Sequence, residues 1–398
     1  MKMYFLELFL LLYFGYISLY SFILSIGGIF YRTARPPVAA IKKKMAVLIP
    51  AYKEDGVITS IAYDALRQEY PPKSYDVVVI ADSLREDTLE KLYALPIKVV
   101  EVSFERSTKV KALNRAMEVI GDDYDYAVIL DADNLMKRNF LSKVNDLFSI
   151  GYKAIQGKRD PKNQNNSMAL LDGLSETINN FIYRQGTVGL GMSASLNGSG
   201  MAFEYSTYKQ ILSRMDSIGG FDRELELKLL EKGIKVYFSN DAIVFDEKVA
   251  STEVFERQRK RWISSQFFYL KKYFNKGMVS LFRGNFSFFN SAILRNIQLP
   301  RLLNLGLLTF CTAGAIILSR HLAFGSEIWI IFWTMSILSI AFAIPRRFYS
   351  IKLLKSVLLV PKIFVKMFML MFKLKGANET FIHTPHSHIE AHTTAEKV

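Results

Sequence analysis

Long apolar runs frame the chain, and between them short apolar runs alternate with helical patterns. From Tyr4 to Tyr31 the chain is nearly free of charge, with only Glu7 interrupting it. A stretch of that length exceeds the ~20 residues that cross a bilayer. It is too long for a signal-peptide core and lacks a small-residue cleavage site, so it predicts a retained anchor helix within residues 1–31. Two further runs, Leu302–Ser319 and Ile328–Ile344, end at Arg320-His321 and at Pro345-Arg346-Arg347. They predict two crossings joined by a short outer loop, the alternative being a buried helical hairpin. A fourth run, Ser356–Leu374, is flanked and interrupted by Lys355, Lys362, Lys366 and Lys373, spaced by 7, 4 and 7 residues. At ~100° per residue these lysines share one helical face. That predicts a helix lying in the membrane interface or, alternatively, a third lysine-flanked crossing.

The middle of the chain has a different rhythm. Ala46–Pro50, Asp76–Ala81, Ile97–Val102 and Tyr126–Leu130 read as short buried strands, and Gly56–Glu69 and Lys109–Ile120 as helices. This βαβα alternation predicts an α/β domain with a mostly parallel sheet and helices on both faces. In such sheets a ligand sits beyond the carboxyl ends of the strands. Three of those ends carry polar groups: Tyr52 and Glu54, then Asp82, then Asp131 with Asp133. No GxxxxGK[ST] is present and no GxGxxG follows the first strand, which excludes a P-loop and argues against a dinucleotide fold.

Charge and composition sharpen this picture. The 398 residues are 50% hydrophobic and carry a net charge of +14, from 51 Lys and Arg against 37 Asp and Glu. Arg32, Arg35, Lys42, Lys43 and Lys44 follow the first apolar run directly, so the chain is expected to enter the cytoplasm there. The basic excess tracks the apolar runs, which makes membrane lipids the expected partner. There is no zinc-finger spacing, RNA-binding aromatic signature or basic-zipper heptad, so no nucleic acid is expected. Cys311 is the single cysteine, which excludes a disulfide framework and a Cys-rich zinc site.

The sharpest chemical signal is Asp131-Ala132-Asp133, directly after the apolar run Ala127-Val-Ile-Leu130. Alternate residues of extended chain point the same way, so both carboxylates leave the strand end together. Hard oxygen ligands of this kind suit Mg²⁺ or Mn²⁺, which keep several waters and also bind a substrate diphosphate.

Taken with this pair, a series of motifs in order along the chain resembles family 2 glycosyltransferases of the GT-A fold. Ile49-Pro50-Ala51-Tyr52-Lys53-Glu54 resembles the family's first nucleotide-binding segment, and Asp82 stands where the family places an acidic residue against the base. Lys109-Val-Lys-Ala-Leu-Asn114 is similar to its lysine-led helix start, and Asp131-Ala-Asp133 to its metal motif. Asn197-Gly-Ser-Gly200 resembles the small-residue stretch before the acceptor site. Gln258-Arg-Lys-Arg261-Trp262 matches the QxxRW motif of membrane-embedded, often processive, cellulose, hyaluronan and poly-N-acetylglucosamine synthases. One departure stands out: where the family has Glu-Asp before a helix, this chain has Phe221-Asp222, with Glu224 as a rival carboxylate. A tail stretch, Phe381-Ile-His-Thr384-Pro-His386, is faintly like the gating loop of cellulose synthases.

The resemblance implies an inverting transfer from a nucleotide-diphosphate sugar, expected to be a UDP-sugar, that forms a β-linkage. Asp222 would be the general base. Pro50, Ala51, Tyr52, Glu54, Asp82, Lys109 and Asp131 would hold the nucleotide, and Asp131 and Asp133 the Mg²⁺ or Mn²⁺. Gln258, Arg261 and Trp262 would meet the diphosphate or the acceptor. The acceptor would be a growing polysaccharide or other glycan; a membrane lipid is the alternative, and an inactive scaffold in a synthase complex a third reading. The implied plan is an anchor over 1–31, a cytoplasmic GT-A domain over 45–250 and amphipathic interface helices with QxxRW over 251–300. Membrane helices over 301–375 and a flexible tail over 376–398 complete it, in a bacterial-type inner membrane. With so few crossings, a full export channel would need a partner or a second copy of the chain.

Overall fold

The computed structural model describes residues 2–163, 166–217, 219–249 and 251–373; the predicted tail, with Phe381, Thr384 and His386, lies outside the described residues. The chain opens with α1 (Lys2–Phe30), then runs β1 (Met45–Tyr52), α2 (Ile58–Ala65), β2 (Tyr75–Asp82), α3 (Glu86–Tyr93), β3 (Lys98–Val102), α4 (Lys109–Ile120) and β4 (Tyr126–Ile129). It continues through β5 (Leu135–Met136), α5 (Phe140–Ser149), β6 (Ala154–Pro161) and α6 (Ser167–Asn179), which passes through a π turn (Asn180–Gly186) into α7 (Thr187–Gly189). Then come β7 (Met201–Glu204), α8 (Tyr205–Leu212), α9 (Phe221–Glu231), β8 (Tyr237–Asp246) and the long α10 (Thr252–Phe282). The last elements are α11 (Phe286–Phe289), α12 (Arg301–Ile317), α13 (Ser326–Ala343), α14 (Ile351–Val357) and α15 (Val360–Met371).

The strands form one sheet in the order β3-β2-β1-β4-β7-β6-β8-β5. The half from β3 to β4 is parallel, as the βαβ rhythm predicts. Beyond it the sheet is mixed: β7 runs antiparallel between β4 and β6, β6 pairs parallel with β8, and β5 is antiparallel at the edge. Both faces are covered. Met45, Val47, Ile49 and Ala51 of β1 face one core with α2 and α5, while Ala46 and Leu48 face the other with α4, α8 and α9. This period-2 division explains why β1 reads as a continuous apolar run.

Two sequence expectations need correction. The helix predicted through Glu69 stops at Ala65, because the Tyr75 hydroxyl donates to the Leu66 carbonyl (2.7 Å) and the Glu69 N–H to the Arg138 carbonyl (2.7 Å). Tertiary partners there replace the intrahelical ones. The lysine-bearing fourth run is not one helix. It breaks between α14 and α15 at Pro361, whose ring lacks an N–H and fits only the first turn of a helix. Lys355 therefore sits on α14 and Lys362 and Lys366 on α15, with Lys366 paired to Glu256 of α10 at 2.6 Å. At 12 residues, α15 is ~18 Å long, well short of a bilayer core.

Among the described residues two helices could cross a membrane by length and composition, Tyr4–Phe30 within α1 and Ser326–Ala343; α12 is apolar but shorter. Leu11 and Phe14 of α1 pack with Leu308 and Ala315 of α12 and Trp329 of α13. The other end of α1 packs Tyr20 and Leu24 against Leu170, Leu174 and Ile178 of α6. Small residues make the closest approach. A Cβ at Gly186 would run into the Leu24 carbonyl oxygen, and one at Gly189 into that of Gly27. Gly186→Ala must therefore push α1 off the π turn, and overpacking of this kind costs ~1–3 kcal/mol. Gly314→Ala meets nothing within 4 Å and should leave the thermal unfolding midpoint in place, whereas Gly186→Ala should lower it. Equal midpoints for the two variants would mean that α1 is not docked as described.

Candidate active site

The site begins where β1 and β4 part. The two strands pair only as far as Leu48 and Ile129, with the Leu130 N–H still reaching the Leu48 carbonyl at 3.0 Å. Pro50, which has no N–H to donate, falls just beyond, where β1 keeps only β2 as a neighbour. The splay leaves a crevice at the carboxyl edge of the parallel half. Tyr52 and Asp82 are register partners at its rim, Ala51 is buried beneath, and the Lys53 N–H donates to the Asp82 carbonyl (3.1 Å). Lys53 and Ser83 are the two non-glycine residues with left-handed φ, at 54° and 58°, among the described residues. Both follow a strand end directly, and such costly conformations concentrate at functional sites. Glu54 and Asp82 are buried, and the Ser83 hydroxyl donates to Asp82 Oδ1 at 3.0 Å.

Lys109 ties the other side together. It is the first residue of α4, whose start is capped by the Thr108 hydroxyl accepting from the Lys111 N–H at 3.2 Å. Its ammonium pairs with Asp131, donates to the Gly198 carbonyl (2.8 Å) and lies 5.0 Å from the centre of the Phe221 ring. One cation thus gathers the DxD turn, the Asn197–Gly200 stretch and the start of α9. Ser199 locks the first two: its hydroxyl accepts from the Asp131 N–H (2.9 Å) and donates to Asn134 Oδ1 (2.6 Å). Asp133 is buried, accepting from Asn134 Nδ2 at 2.8 Å and from the Glu247 N–H at 3.3 Å. The Lys162 ammonium holds the Asp133 carbonyl.

Asp222 sits in the first turn of α9, where helix amides favour a carboxylate. Burial nevertheless raises its pKa above the ordinary aspartate value, against the opposing pull of Arg223, its neighbouring amides and Lys109. Arg261 approaches from α10: burial lowers its pKa, and Asp222 and Asp131 counter that shift. Lys109, Asp131, Asp222 and Arg261 therefore share one electrostatic environment. α10 also fixes the start of α9, since the Tyr269 hydroxyl donates to the Gly219 carbonyl at 2.9 Å. The rival carboxylate Glu224 is turned to α10, paired with Lys272 at 2.7 Å and accepting from the Tyr273 hydroxyl at 3.4 Å. Two other motif residues are not drawn into this cluster. Trp262 is 42% exposed and stacks on Arg259 (4.3 Å), itself paired with Asp172 at 2.5 Å. Gln258 Oε1 is buried and has no hydrogen-bond partner among the described residues.

Behind the site lies a shell that the sequence reading does not single out. Gln156 accepts from the Asn197 N–H (3.1 Å) and donates to the Ser199 carbonyl (3.0 Å). Arg184, carried by the π turn, donates to the Ser195 carbonyl (3.1 Å) and pairs with Glu176 at 3.0 Å. Burial would raise the Glu176 pKa, but Arg184, Lys248 and Arg159 hold it down at about 2. Ser199 lies within the Asn197–Gly200 motif; Gln156 and Glu176 carry no sequence signal of their own.

Among the described residues no group of three or more His, Cys, Asp or Glu side chains could hold a metal ion. The hard carboxylate oxygens of Asp131 and Asp133, on either side of Ala132, are of the chemistry that suits an ion completed by substrate phosphates and water, as Mg²⁺-type ions commonly are.

Comparison with known proteins places this site in a family. Residues 43–265, more than half of the chain, match the family described as "Glycosyltransferase like family 2". The chain belongs to that family, and its activity is that of a glycosyltransferase. The fold is GT-A. It is similar to the mannosyltransferase PcManGT from Pyrobaculum calidifontis, solved in complex with GDP-Man and Mn²⁺, at 15% identity and a TM-score of 0.54, covering 84% of this chain and 96% of that one. A more distant likeness, at 15% identity and a TM-score of 0.34, covers 56% of this chain and 78% of glucosyl-3-phosphoglycerate synthase from Mycobacterium tuberculosis. S. aureus TarS 1-349 gives 15% identity and a TM-score of 0.35, covering 55% of this chain and 64% of that one. Among curated proteins none matches.

The Ser199 hydroxyl can be tested by itself. Ser199→Ala strands the Asp131 N–H and Asn134 Oδ1, and a buried group left unsatisfied costs ~1–3 kcal/mol. A fall of that size in denaturant stability is expected; no change would show that this hydroxyl does not hold the turn.

Proposed function

We propose that the chain is a membrane-bound, inverting glycosyltransferase that moves a sugar from a nucleoside-diphosphate sugar to a glycan acceptor, forming a β-linkage. The observation that carries this reading is the convergence of Lys109, Asp131, Arg261 and Asp222 on one crevice of a family 2 domain. Tyr52, Glu54 and Asp82, with the backbone at Pro50 and Ala51, take the nucleoside at the β1–β2 rim. Lys109 and Arg261 face the diphosphate, where cations offset the charge that builds on the leaving group. Asp131 and Asp133 would hold a divalent ion, Mg²⁺ or Mn²⁺, which when bound supplies Lewis-acid stabilisation of the same charge. The Mn²⁺ and GDP-Man in PcManGT support a metal and a nucleoside-diphosphate donor here.

Asp222 takes the proton of the acceptor hydroxyl as that oxygen attacks the anomeric carbon opposite the diphosphate. Attack from that face inverts the configuration, so an α-linked donor gives a β-linked product. Gln258 and Trp262 complete the acceptor side on α10. In this reading α1, α12 and α13 cross a membrane of the bacterial inner-membrane type, and α10, α14 and α15 lie along its cytoplasmic face. Exposed Phe268, Phe274, Phe282, Leu354 and Phe368 on these last helices support that placement. The QxxRW run and the flanking helices support kinship with the polysaccharide synthases.

Removing divalent ions with a chelator should abolish sugar transfer, and Mn²⁺ or Mg²⁺ should restore it. Asp133→Ala should not be restored. Full turnover of metal-free enzyme would exclude the role given to the DxD pair.

The raised pKa of Asp222 has two consequences. As the base, it must be ionised, so turnover should rise with pH through a value above that of ordinary aspartate. Because its folded-state pKa lies above the unfolded one, its ionisation costs stability, and the cost appears as pH rises through the folded-state pKa. Asp222→Asn removes both effects. It should lose ~10²–10⁴-fold in turnover, keep nucleotide binding, and unfold at or above the wild-type temperature at neutral pH. Normal turnover, or loss of donor binding with it, would remove Asp222 from the acceptor side.

A further inference from the structure

α9 opens with three carboxylates at alternate positions, Asp222, Glu224 and Glu226. Glu224 is paired to α10 through Lys272. Glu226, only 1% exposed, has other partners. Its Oε2 accepts from the Leu196 N–H and from the Arg295 guanidinium, each at 3.0 Å, and its Oε1 from the Ser291 hydroxyl. Ser291 belongs to a second π turn, Asn290–Leu294, which follows α11, and Arg295 comes directly after it. Leu196 immediately precedes the Asn197–Gly200 stretch. One buried carboxylate thus ties α9 both to the loop that holds Lys109 and the DxD turn and to the segment that leads into α12.

Glu226 lies four residues after Asp222, so the two side chains share one face of α9, a single turn apart. Burial raises the Glu226 pKa; Arg223, the Ser291 hydroxyl and the Leu196 N–H oppose that rise, and Asp222 adds to it. Around Asp222 stand Lys109 of α4, Arg261 and Tyr269 of α10, and Arg223. Around Glu226 stand Arg223, Arg295 and Arg184 of the π turn after α6. Arg223 donates to Asn296 Oδ1, and the Asn296 amide donates to the Ser291 and Ala292 carbonyls at 3.0 Å. The second π turn therefore receives α9 twice, through Glu226 and through Arg223. A buried ion pair gains little over an apolar pair of the same shape. What Glu226 and Arg295 add is registry, because their directed contacts set how α9 is turned and how far it slides.

We infer that Glu226 is a positioning residue for the transfer: with Arg295 it fixes the Asp222 turn of α9 between the Asn197–Gly200 stretch and the second π turn, and its charge bears on the Asp222 carboxyl. The inference rests on the reading of Asp222 as the acceptor-side base, and it names the group that sets that base in place. Glu226 touches no substrate in this role; it acts through Asp222.

The test titrates the full chain in detergent micelles by difference infrared spectroscopy, following the protonated-carboxyl band that Asp222→Asn removes. Taking away an anion one helical turn off makes Asp222 easier to ionise. Glu226→Gln should therefore move the midpoint of that band down by about one pH unit, the order of a like charge at this spacing and an effective dielectric of ~20. The acid limb of turnover, read as nucleoside diphosphate released from the fastest of a panel of UDP- and GDP-hexoses, should move down with it. Above that limb turnover should fall about 10- to 100-fold, the cost of a slightly misplaced group, at unchanged donor KM. The double variant Glu226→Gln, Arg295→Gln leaves no buried charge alone, so it carries the test if the single variant folds poorly. Its midpoint should lie between those of the single variant and the wild type. A contact that serves stability alone would lower the unfolding temperature and leave the midpoint in place. Wild-type midpoints in both variants overturn the proposal, and so does undiminished turnover or a donor KM that rises as turnover falls. Normal turnover of Asp222→Asn would instead fail the base assignment, and with it the role in transfer, whatever the midpoints show.

Discussion

Lys109 is the charge around which the crevice is built. Its partners come from three distant parts of the chain: Asp131 after β4, the Gly198 carbonyl before β7, and the Phe221 ring at the start of α9. None of these segments is held in place by strand pairing alone, because β4 pairs with β1 only to Ile129 and α9 begins on a left-handed glycine, Gly220. A half-buried ammonium with both a carboxylate and a carbonyl to satisfy makes the three move as one. Phe221 fits this arrangement. A carboxylate at that position would be a third claimant on the same cation; the aromatic ring offers its face instead.

A second chain of contacts links that cluster to the apolar helices. Leu24 and Gly27 of α1 touch Gly186 and Gly189, and the same π turn carries Arg184 to the Ser195 carbonyl and to Glu176. Asn197 then connects Glu176 at 3.4 Å with Gln156 beneath the Ser199 loop. A π turn widens the helix by one residue and so re-aims the side chains after it. Here that extra residue lets one segment give its glycines to α1 and its arginine to the site. On the other flank, Gln266 of α10 donates to the Asn296 and Gln298 carbonyls at 2.9 and 2.5 Å. The segment leading into α12 is thereby fastened four residues beyond Trp262.

Much of this was legible in the sequence where the signal is local. The bounds of α4 are those read from its apolar spacing, Lys109–Ile120, and β1, β2 and β4 differ from their readings by a residue or two at either end. The motif residues at the strand ends reach the same crevice because parallel register makes Tyr52 and Asp82 neighbours. What was not legible depends on chain far away. Nothing in Met201–Glu204 says that it will run antiparallel to β4, and Gln156 matters only because Asn197 and Ser199 come to it. α2 ends early because Arg138 supplies an acceptor from beyond β5. Trp262 is expected at the diphosphate or the acceptor, yet Arg259, three residues earlier on the same helix, already covers one face of it.

The glycine contact between α1 and the π turn also orders events in time. α1 is synthesised before α6 and the π turn, so the surface it docks on does not yet exist when it is made, and the sheet that supports them closes only when β8 arrives between β6 and β5. Until then the face of α1 that carries Tyr20 and Leu24 has no protein partner. α1 therefore reaches its final contacts only after elements made later than itself. Its waiting surface must be covered by something other than this chain throughout synthesis.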